Sequence, residues 1–321
     1  MKAIPSIGKN QIKSVVVTGA SGFIGCELLK ELTSKKIKVY AVVRNESRKN
    51  NSIQNLSGIE LIYSEMDELI SITEMIEETP DAFCHLAWAG STGNARADYE
   101  LQLKNVKWTV DAVHVAHKLG CKHFLAAGTL AELDVNAYSA QNGSTPNAVS
   151  NYGVAKIAAH YMSKAECNKL GISHLWAYLS NTYGMGDYTS NFINFAVKSF
   201  ITKRSGDFTA GEQLYDFVNV IDAANGLACI LQNGRNNYAY YIGSTEPRKL
   251  KEYIYIIRDA IDETMEINLG VIPFNGISHL REIYDCSDLV NHTGYRPQIS
   301  FEEGIKTTVE WIRTQMELGR F

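Results

Sequence analysis

The chain has 321 residues, a net charge of −4 and a pI near 6.1, a balance without any basic stripe that excludes a sequence-independent nucleic-acid binder. No uninterrupted apolar stretch is long enough to span a bilayer, and the start MKAIPSIGKN lacks the apolar middle of a secretion signal, so a cytoplasmic protein without membrane contact is expected. Six scattered cysteines with no CxxC pair give neither a disulfide framework nor a zinc site, and no metal is expected.

In chain order, a β-branched run predicts a strand at 14–18, helical periodicity follows over 22–32, and strands are predicted at 38–43 and 82–87. An amphipathic helix over 99–119, a strand at 123–127, a helix from about 151 to 170 and a strand at 174–179 continue the alternation. Strands separated by crossover helices predict an α/β fold with a doubly wound parallel sheet of Rossmann type. Beyond Asn181 the rhythm mixes: helices at 191–202, 223–232, 250–264 and 301–318, and strand-like runs at 216–220 and 239–243. A discontinuous second lobe is expected, with 1–180 and 211–238 forming a dinucleotide-binding domain and 181–210 and 239–321 a smaller α/β substrate-binding lobe.

The first strand runs into TGASGFIG, with glycines at 19, 22 and 25. A strand that ends in glycines and opens a helix leaves unpaired N–H groups where a pyrophosphate can sit. Gly19 permits the turn, Gly22 the approach of phosphate, and Gly25 close helix–strand packing. The spacing is GxxGxxG, and alone it also describes a tight turn holding nothing; its place after the first strand favours a dinucleotide. An acidic residue at the end of the second strand would accept the ribose hydroxyls of NAD. Here that strand ends Val42-Val43-Arg44, with Arg48 just beyond and no carboxylate. Arg44 and Arg48 suit a 2′-phosphate, so NADP(H) is expected ahead of NAD(H), the alternative being two arginines solvated at a strand end.

NYGVAK places Tyr152 and Lys156 four apart on one helical face. A phenol of pKa about 10 exchanges protons poorly at neutral pH, and a neighbouring ammonium favours the phenolate. The same spacing alone also fits an ordinary, partly exposed pair. His114 and His117, one turn apart, lack partners for a metal, and a polar helix face is the simpler reading. The tyrosines at 238, 240, 241, 253 and 255 read as packing around the second lobe.

Taken together, TGASGFIG, HLAWAG at 85–90, YGVAK, SNTYGMGD at 180–187, YDFVNVID at 215–222 and the closing TGYRPQISFEEGI resemble, in order and spacing, the extended short-chain dehydrogenase/reductases of the NAD-dependent epimerase/dehydratase family. The resemblance implies catalytic roles for Thr129, Tyr152 and Lys156, and a structural role for Asn105. It also implies cofactor contacts from Ser21, Phe23, Ile24, Leu86, Ala87 and Lys156 beside the glycines, and substrate contacts from Asn181 and Tyr215. A homodimer built through the 99–119 and 151–170 helices is implied as well. Departures narrow the reaction. Family members that dehydrate sugars carry an Asp-Glu pair directly after the catalytic Thr, where this chain has Leu130 and Ala131. The Cys and His of the family's GDP-fucose-forming epimerase-reductase are replaced by Ala131 and Gly186, and Tyr215 stands where an Arg commonly grips pyrophosphate. The expected function is NADPH-dependent reduction of a keto group on a nucleotide-linked sugar, a 4-keto-6-deoxyhexose first among them. A 4-epimerase that retains NAD is the alternative, and a dinucleotide-sensing protein without catalysis is the third.

Overall fold

The structure is a computed structural model describing residues 12–45, 53–139, 150–204 and 206–321. Strand β1 (Ser14–Thr18) turns Val15 and Val17 to one side of a sheet and Val16 to the other, and all three are fully buried. Helices on both faces explain such a continuous apolar strand. On the first side, Leu28, Leu29 and Leu32 of α1 (Phe23–Ser34) join Val15 and Val17 in one core. On the second, Ala112 and Val113 of α2 (Tyr99–Lys118) and Ala155 and Ala159 of α4 (Ser150–Leu170) pack with Val16.

Seven strands pair in parallel. From one edge they are β10 (Tyr238–Ile242), β6 (Ser173–Leu179), β5 (His123–Thr129), β4 (Ala82–His85), β1, β2 (Lys38–Val43) and β3 (Ile59–Tyr63). The doubly wound sheet expected from the strand–helix alternation is therefore present. Two elements on its β2 side go beyond that expectation, β3 and a 3-10 segment at Met66–Glu74. As an edge strand β3 leaves Glu60 and Tyr63 exposed, which blurs the apolar run that marks its neighbours. A short α3 (Ala131–Ser139) follows β5 directly.

Two compact units result. The first holds the described residues up to Leu179, with Ala224–Ile242 and Ser287–Arg296. These bounds differ from the expected 1–180 and 211–238. Residues 239–242, assigned from sequence to the second lobe, belong to β10, whose register places Tyr238 beside Leu175 and Ile242 beside Leu179. A parallel partner is available only through a crossover, and α6 (Val220–Asn233) supplies it. Tyr238 and Tyr240 consequently face α8 (Ser287–Thr293), where their hydroxyls meet Asp288 and His292.

The second unit contains Ser180–Ala223, Gly243–Cys286 and Pro297–Phe321. In it β7 (Asn181–Tyr183) runs parallel to β9 (Phe217–Asn219), and β8 (Leu214–Tyr215) antiparallel to β11 (Arg248–Lys249). Its core is formed by α5 (Phe192–Ile201), α7 (Leu250–Asp259) and α9 (Phe301–Glu317) through Phe200, Ile254, Ile257, Ile305 and Ile312. Helix α7 stops short of the expected residue 264 because Asp262 folds a turn, accepting from the Thr264 N–H at 3.0 Å. Among the described residues no helix is long and apolar enough to cross a membrane.

Candidate active site

The turn after β1 is packed backbone on backbone. Gly19 has φ +70°, and a Cβ there would lie 2.7 Å from the Ala87 nitrogen and 2.9 Å from the Leu86 carbonyl carbon. That segment, just past the end of β4, is held in turn by β1, since Leu86 N–H donates to the Thr18 carbonyl at 3.2 Å. Gly22 N–H closes the turn on the Gly19 carbonyl at 3.0 Å, and a Cβ on Gly25 would stand 2.2 Å from that same oxygen. Helix α1 then opens with Gly22 as N-cap, no side chain capping it and no acidic residue in its first turn. Its first N–H groups have no intrahelical acceptor. Ser21, Gly22, Phe23 and Ile24 are half-buried around this end. A bare, uncapped helix start framed by Gly19 and Gly25, where any Cβ would run into backbone atoms, fits a pyrophosphate.

Arg44 follows β2 immediately, at the same C-terminal end of the parallel sheet as the turn, and its side chain is exposed. Arg48 lies outside the described residues. No carboxylate ends β2, as the sequence indicates.

The chemical groups gather at the neighbouring ends of β4 and β5. Tyr152, in the first turn of α4, is buried, with Trp88 edge-on at 6.0 Å between ring centroids and the Arg96 guanidinium 4.6 Å above its ring. Thr129, the last residue of β5, lies beside the phenol and favours its ionised form. Lys156, one turn on, is also buried; its Nζ donates to the Ala127 carbonyl at 2.6 Å and sits 3.8 Å from the Trp88 ring centre. Thr129, Tyr152 and Lys156 thus come together where β5 ends and α4 begins. Their electrostatics differ from expectation. Burial pushes the Tyr152 phenol up, while Thr129 and Arg96 act against that rise. The cation over the phenol is Arg96, whereas Lys156 is turned to the β5 backbone.

The segment carrying Trp88 and Arg96 is clamped by α2. Asn105 accepts from Ala89 N–H at 2.8 Å and donates to the Ala89 carbonyl at 2.9 Å. Gln102, one turn earlier, accepts from Trp88 Nε1 at 2.9 Å and donates to the Gly90 and Ala95 carbonyls. Asn105 is therefore structural, as expected. Trp88, Arg96, Gln102 and Glu132 escaped the sequence reading, although two buried amides three apart on an apolar helix face are a usable signal. His85, also buried, pairs its Nδ1 with the Thr18 hydroxyl at 2.9 Å, and burial, then Lys156, drives its pKa down to about 3.

In the second unit the Asn181 amide donates to the Asp216 carbonyl at 3.1 Å, and the half-buried Tyr215 ring stacks on Phe217 at 5.7 Å. His114 faces Glu166 across α2 and α4 at 3.3 Å.

Burial, opposed by Glu132, lowers the Lys156 pKa to about 7 from its ordinary value. Between about pH 7 and pH 10.4 the unfolded chain keeps a proton here that the folded chain has shed, so the site's contribution to stability rises with pH across that window. Lys156→Met removes the burial penalty. Its melting temperature should exceed that of the natural protein by a few degrees near pH 7, with the gap closing toward about pH 10.4. Thermal melts across that range check this, and a lower melting temperature at neutral pH would contradict it.

A parallel sheet whose first turn is a bare glycine cradle defines the class: a Rossmann-type dinucleotide enzyme. The model of the NAD dependent epimerase/dehydratase family matches residues 15–243, and the chain belongs to that family. Among curated relatives, it is 24% identical over 309 residues to dTDP-glucose 4,6-dehydratase of Mycobacterium tuberculosis (strain ATCC 25618 / H37Rv), covering 93% of each chain. It is 25% identical over 310 residues to CDP-abequose synthase of Salmonella typhimurium, covering 91% of this chain and 96% of that one. Among solved structures, UDP-N-acetylglucosamine 4-epimerase from Methanobrevibacter ruminantium M1 superposes with a TM-score of 0.79 at 20% identity, covering 95% of this chain and 99% of the other.

Proposed function

We propose that this protein reduces a keto group on a nucleoside-diphosphate-linked sugar with NADPH, a 4-keto-6-deoxyhexose being the first candidate. The observation that carries the reading is the Tyr152 phenol, kept protonated by its burial, with Thr129 at its side and Lys156 one helical turn on. A reductase needs a proton donor at that place. NADPH, when bound, supplies hydride to the carbonyl carbon. Tyr152 Oη gives its proton to the carbonyl oxygen, and the Thr129 hydroxyl holds that oxygen while charge develops. Arg96 above the ring stabilises the phenolate that remains. The glycine turn, with Ser21, Phe23 and Ile24, would hold the pyrophosphate, Leu86 and Ala87 the adjoining face of the cofactor, and Lys156 the nicotinamide ribose. Asn181 and Tyr215 are assigned to the substrate on the strength of their motifs.

The names of the relatives support the substrate class, since dTDP-glucose, CDP-abequose and UDP-N-acetylglucosamine are all nucleotide-linked sugars. Elimination is disfavoured because Leu130 and Ala131 offer neither acid nor base. A homodimer is supported by the exposed apolar side chains of Tyr99, Leu103, Tyr161 and Met162 on α2 and α4.

Oxidation of NADPH in step with product, followed by absorbance with CDP-, dTDP- and UDP-linked 4-keto-6-deoxyglucose, tests the reading. Tightly held NAD and a sugar epimerised without net oxidation would replace it with the epimerase; no turnover of any sugar would leave a sensor. Arg44 carries the cofactor preference. Arg44→Ala should raise the NADPH dissociation constant about 10- to 100-fold, the strength of a charge-assisted bidentate contact, while NADH binding changes little. Fluorescence titration with both cofactors measures this, and equal losses for the two would remove the 2′-phosphate contact.

A further inference from the structure

We propose that Glu132 is a positioning residue for this reaction, anchoring the Thr129 backbone and presenting a negative charge to Lys156; the proposal rests on the reductase reading above. Glu132 lies in the first turn of α3 and is only 1% exposed. Its Oε1 accepts from the Thr129 N–H at 2.9 Å and from Trp176 Nε1 at 3.3 Å. Oε2 is buried without a hydrogen-bond partner among the described residues, and His160 Nδ1 lies 3.6 Å from it. An ionisable side chain so enclosed costs stability unless its charge is matched.

The backbone is shaped to admit it. A Cβ on Gly128 would stand 2.2 Å from Trp176 Nε1 and 2.7 Å from Glu132 Oε1, so only glycine leaves room for that pair beside β5. A Cβ on Gly153 would meet the Ala131 carbonyl at 2.5 Å, so the start of α3 rests directly on the α4 turn that carries Tyr152 and Lys156. Helix α4 presents Tyr152, Lys156 and His160 to this corner, β6 presents Tyr178, β4 presents His85, and Arg96 lies over Tyr152. His160 stacks on Trp176 at 4.4 Å and meets the Tyr178 hydroxyl at 3.3 Å. Glu132 opposes the burial that lowers Lys156, and it adds to the burial that raises Tyr178.

Two substitutions separate the roles. Glu132→Gln keeps an acceptor for Thr129 and loses the charge, whereas Glu132→Asp keeps the charge and shortens the reach. In the Gln variant the Lys156 side-chain titration, followed by NMR of lysine-labelled protein and assigned with Lys156→Arg, should move down by about one pH unit. The falling alkaline limb of kcat/KM for keto-sugar reduction should move with it. In the Asp variant the titration should stay near its natural position while kcat drops about tenfold at little change in KM. An unmoved Lys156 titration in the Gln variant overturns the charge role, and natural kcat in the Asp variant overturns the anchoring role. Should the Gln variant not fold, a Lys156 titration displaced in the Asp variant also overturns the proposal. A displaced titration in a protein that turns over no keto-sugar would sink the reductase reading and leave the Glu132–Lys156 coupling intact.

Discussion

Tyr152→Phe is expected to lower kcat/KM for keto-sugar reduction by about 10²- to 10⁴-fold, the range a positioned general acid provides. The substitution is clean because the ring stays. The edge contact with Trp88 and the Arg96 guanidinium 4.6 Å above the ring depend on the aromatic face, and a phenyl group keeps both. Only the hydroxyl is lost. NADPH affinity and melting temperature should therefore change little, so a loss of rate reports proton transfer. Steady-state kinetics beside a cofactor titration separate the effects. A variant retaining more than about a tenth of the natural rate would mean that the proton comes from another group.

Gly25→Ala is expected to have the largest effect on stability. Its added methyl would lie 2.2 Å from the Gly19 carbonyl oxygen, 2.7 Å from that of Ala20 and 2.9 Å from the Ala20 carbonyl carbon. All three are backbone atoms and cannot swing aside as a flexible side chain would. Either α1 lifts from β1 or the turn opens, and both disturb the core that Leu28 and Leu29 make with Val15 and Val17. Overpacking of this kind costs about 3 kcal/mol or more, a fall of roughly 6 °C or greater in the melting temperature. Cofactor affinity should fall with it, because the helix start is displaced. Thermal melts and NADPH titration measure both, and a melt within about a degree of the natural protein would show that the turn yields easily.

The β1–turn–α1 unit was legible because its signals are local: a β-branched strand, then glycines whose spacing encodes backbone contacts. Tyr152 and Lys156 were legible for the same reason, being four apart on one helix. Glu132 was not. Its meaning depends on Trp176, 44 residues away on β6, and on His160 of α4, and nothing in TLAEL announces either neighbour. Arg96 was hidden likewise, because it reaches Tyr152 only once Gln102 and Asn105 have fixed the backbone leading up to it at Ala89, Gly90 and Ala95. The placement of β10 was misjudged because an alternating tyrosine run suits a strand in either unit, and only the pairing with β6 decides. The expected effect of Lys156 on the phenol treated charge without solvation. Lys156 spends its ammonium on the Ala127 carbonyl, and burial raises the phenol by more than Thr129 and Arg96 lower it.

The clamp that α2 places on the Trp88 segment has a thermodynamic corollary. Trp88 is tethered through its indole nitrogen and lies against Lys156 and Tyr152, so this aromatic wall is set when the chain folds. An arriving ligand then encounters dipoles already oriented, and little reorganisation energy separates encounter from a reactive pose.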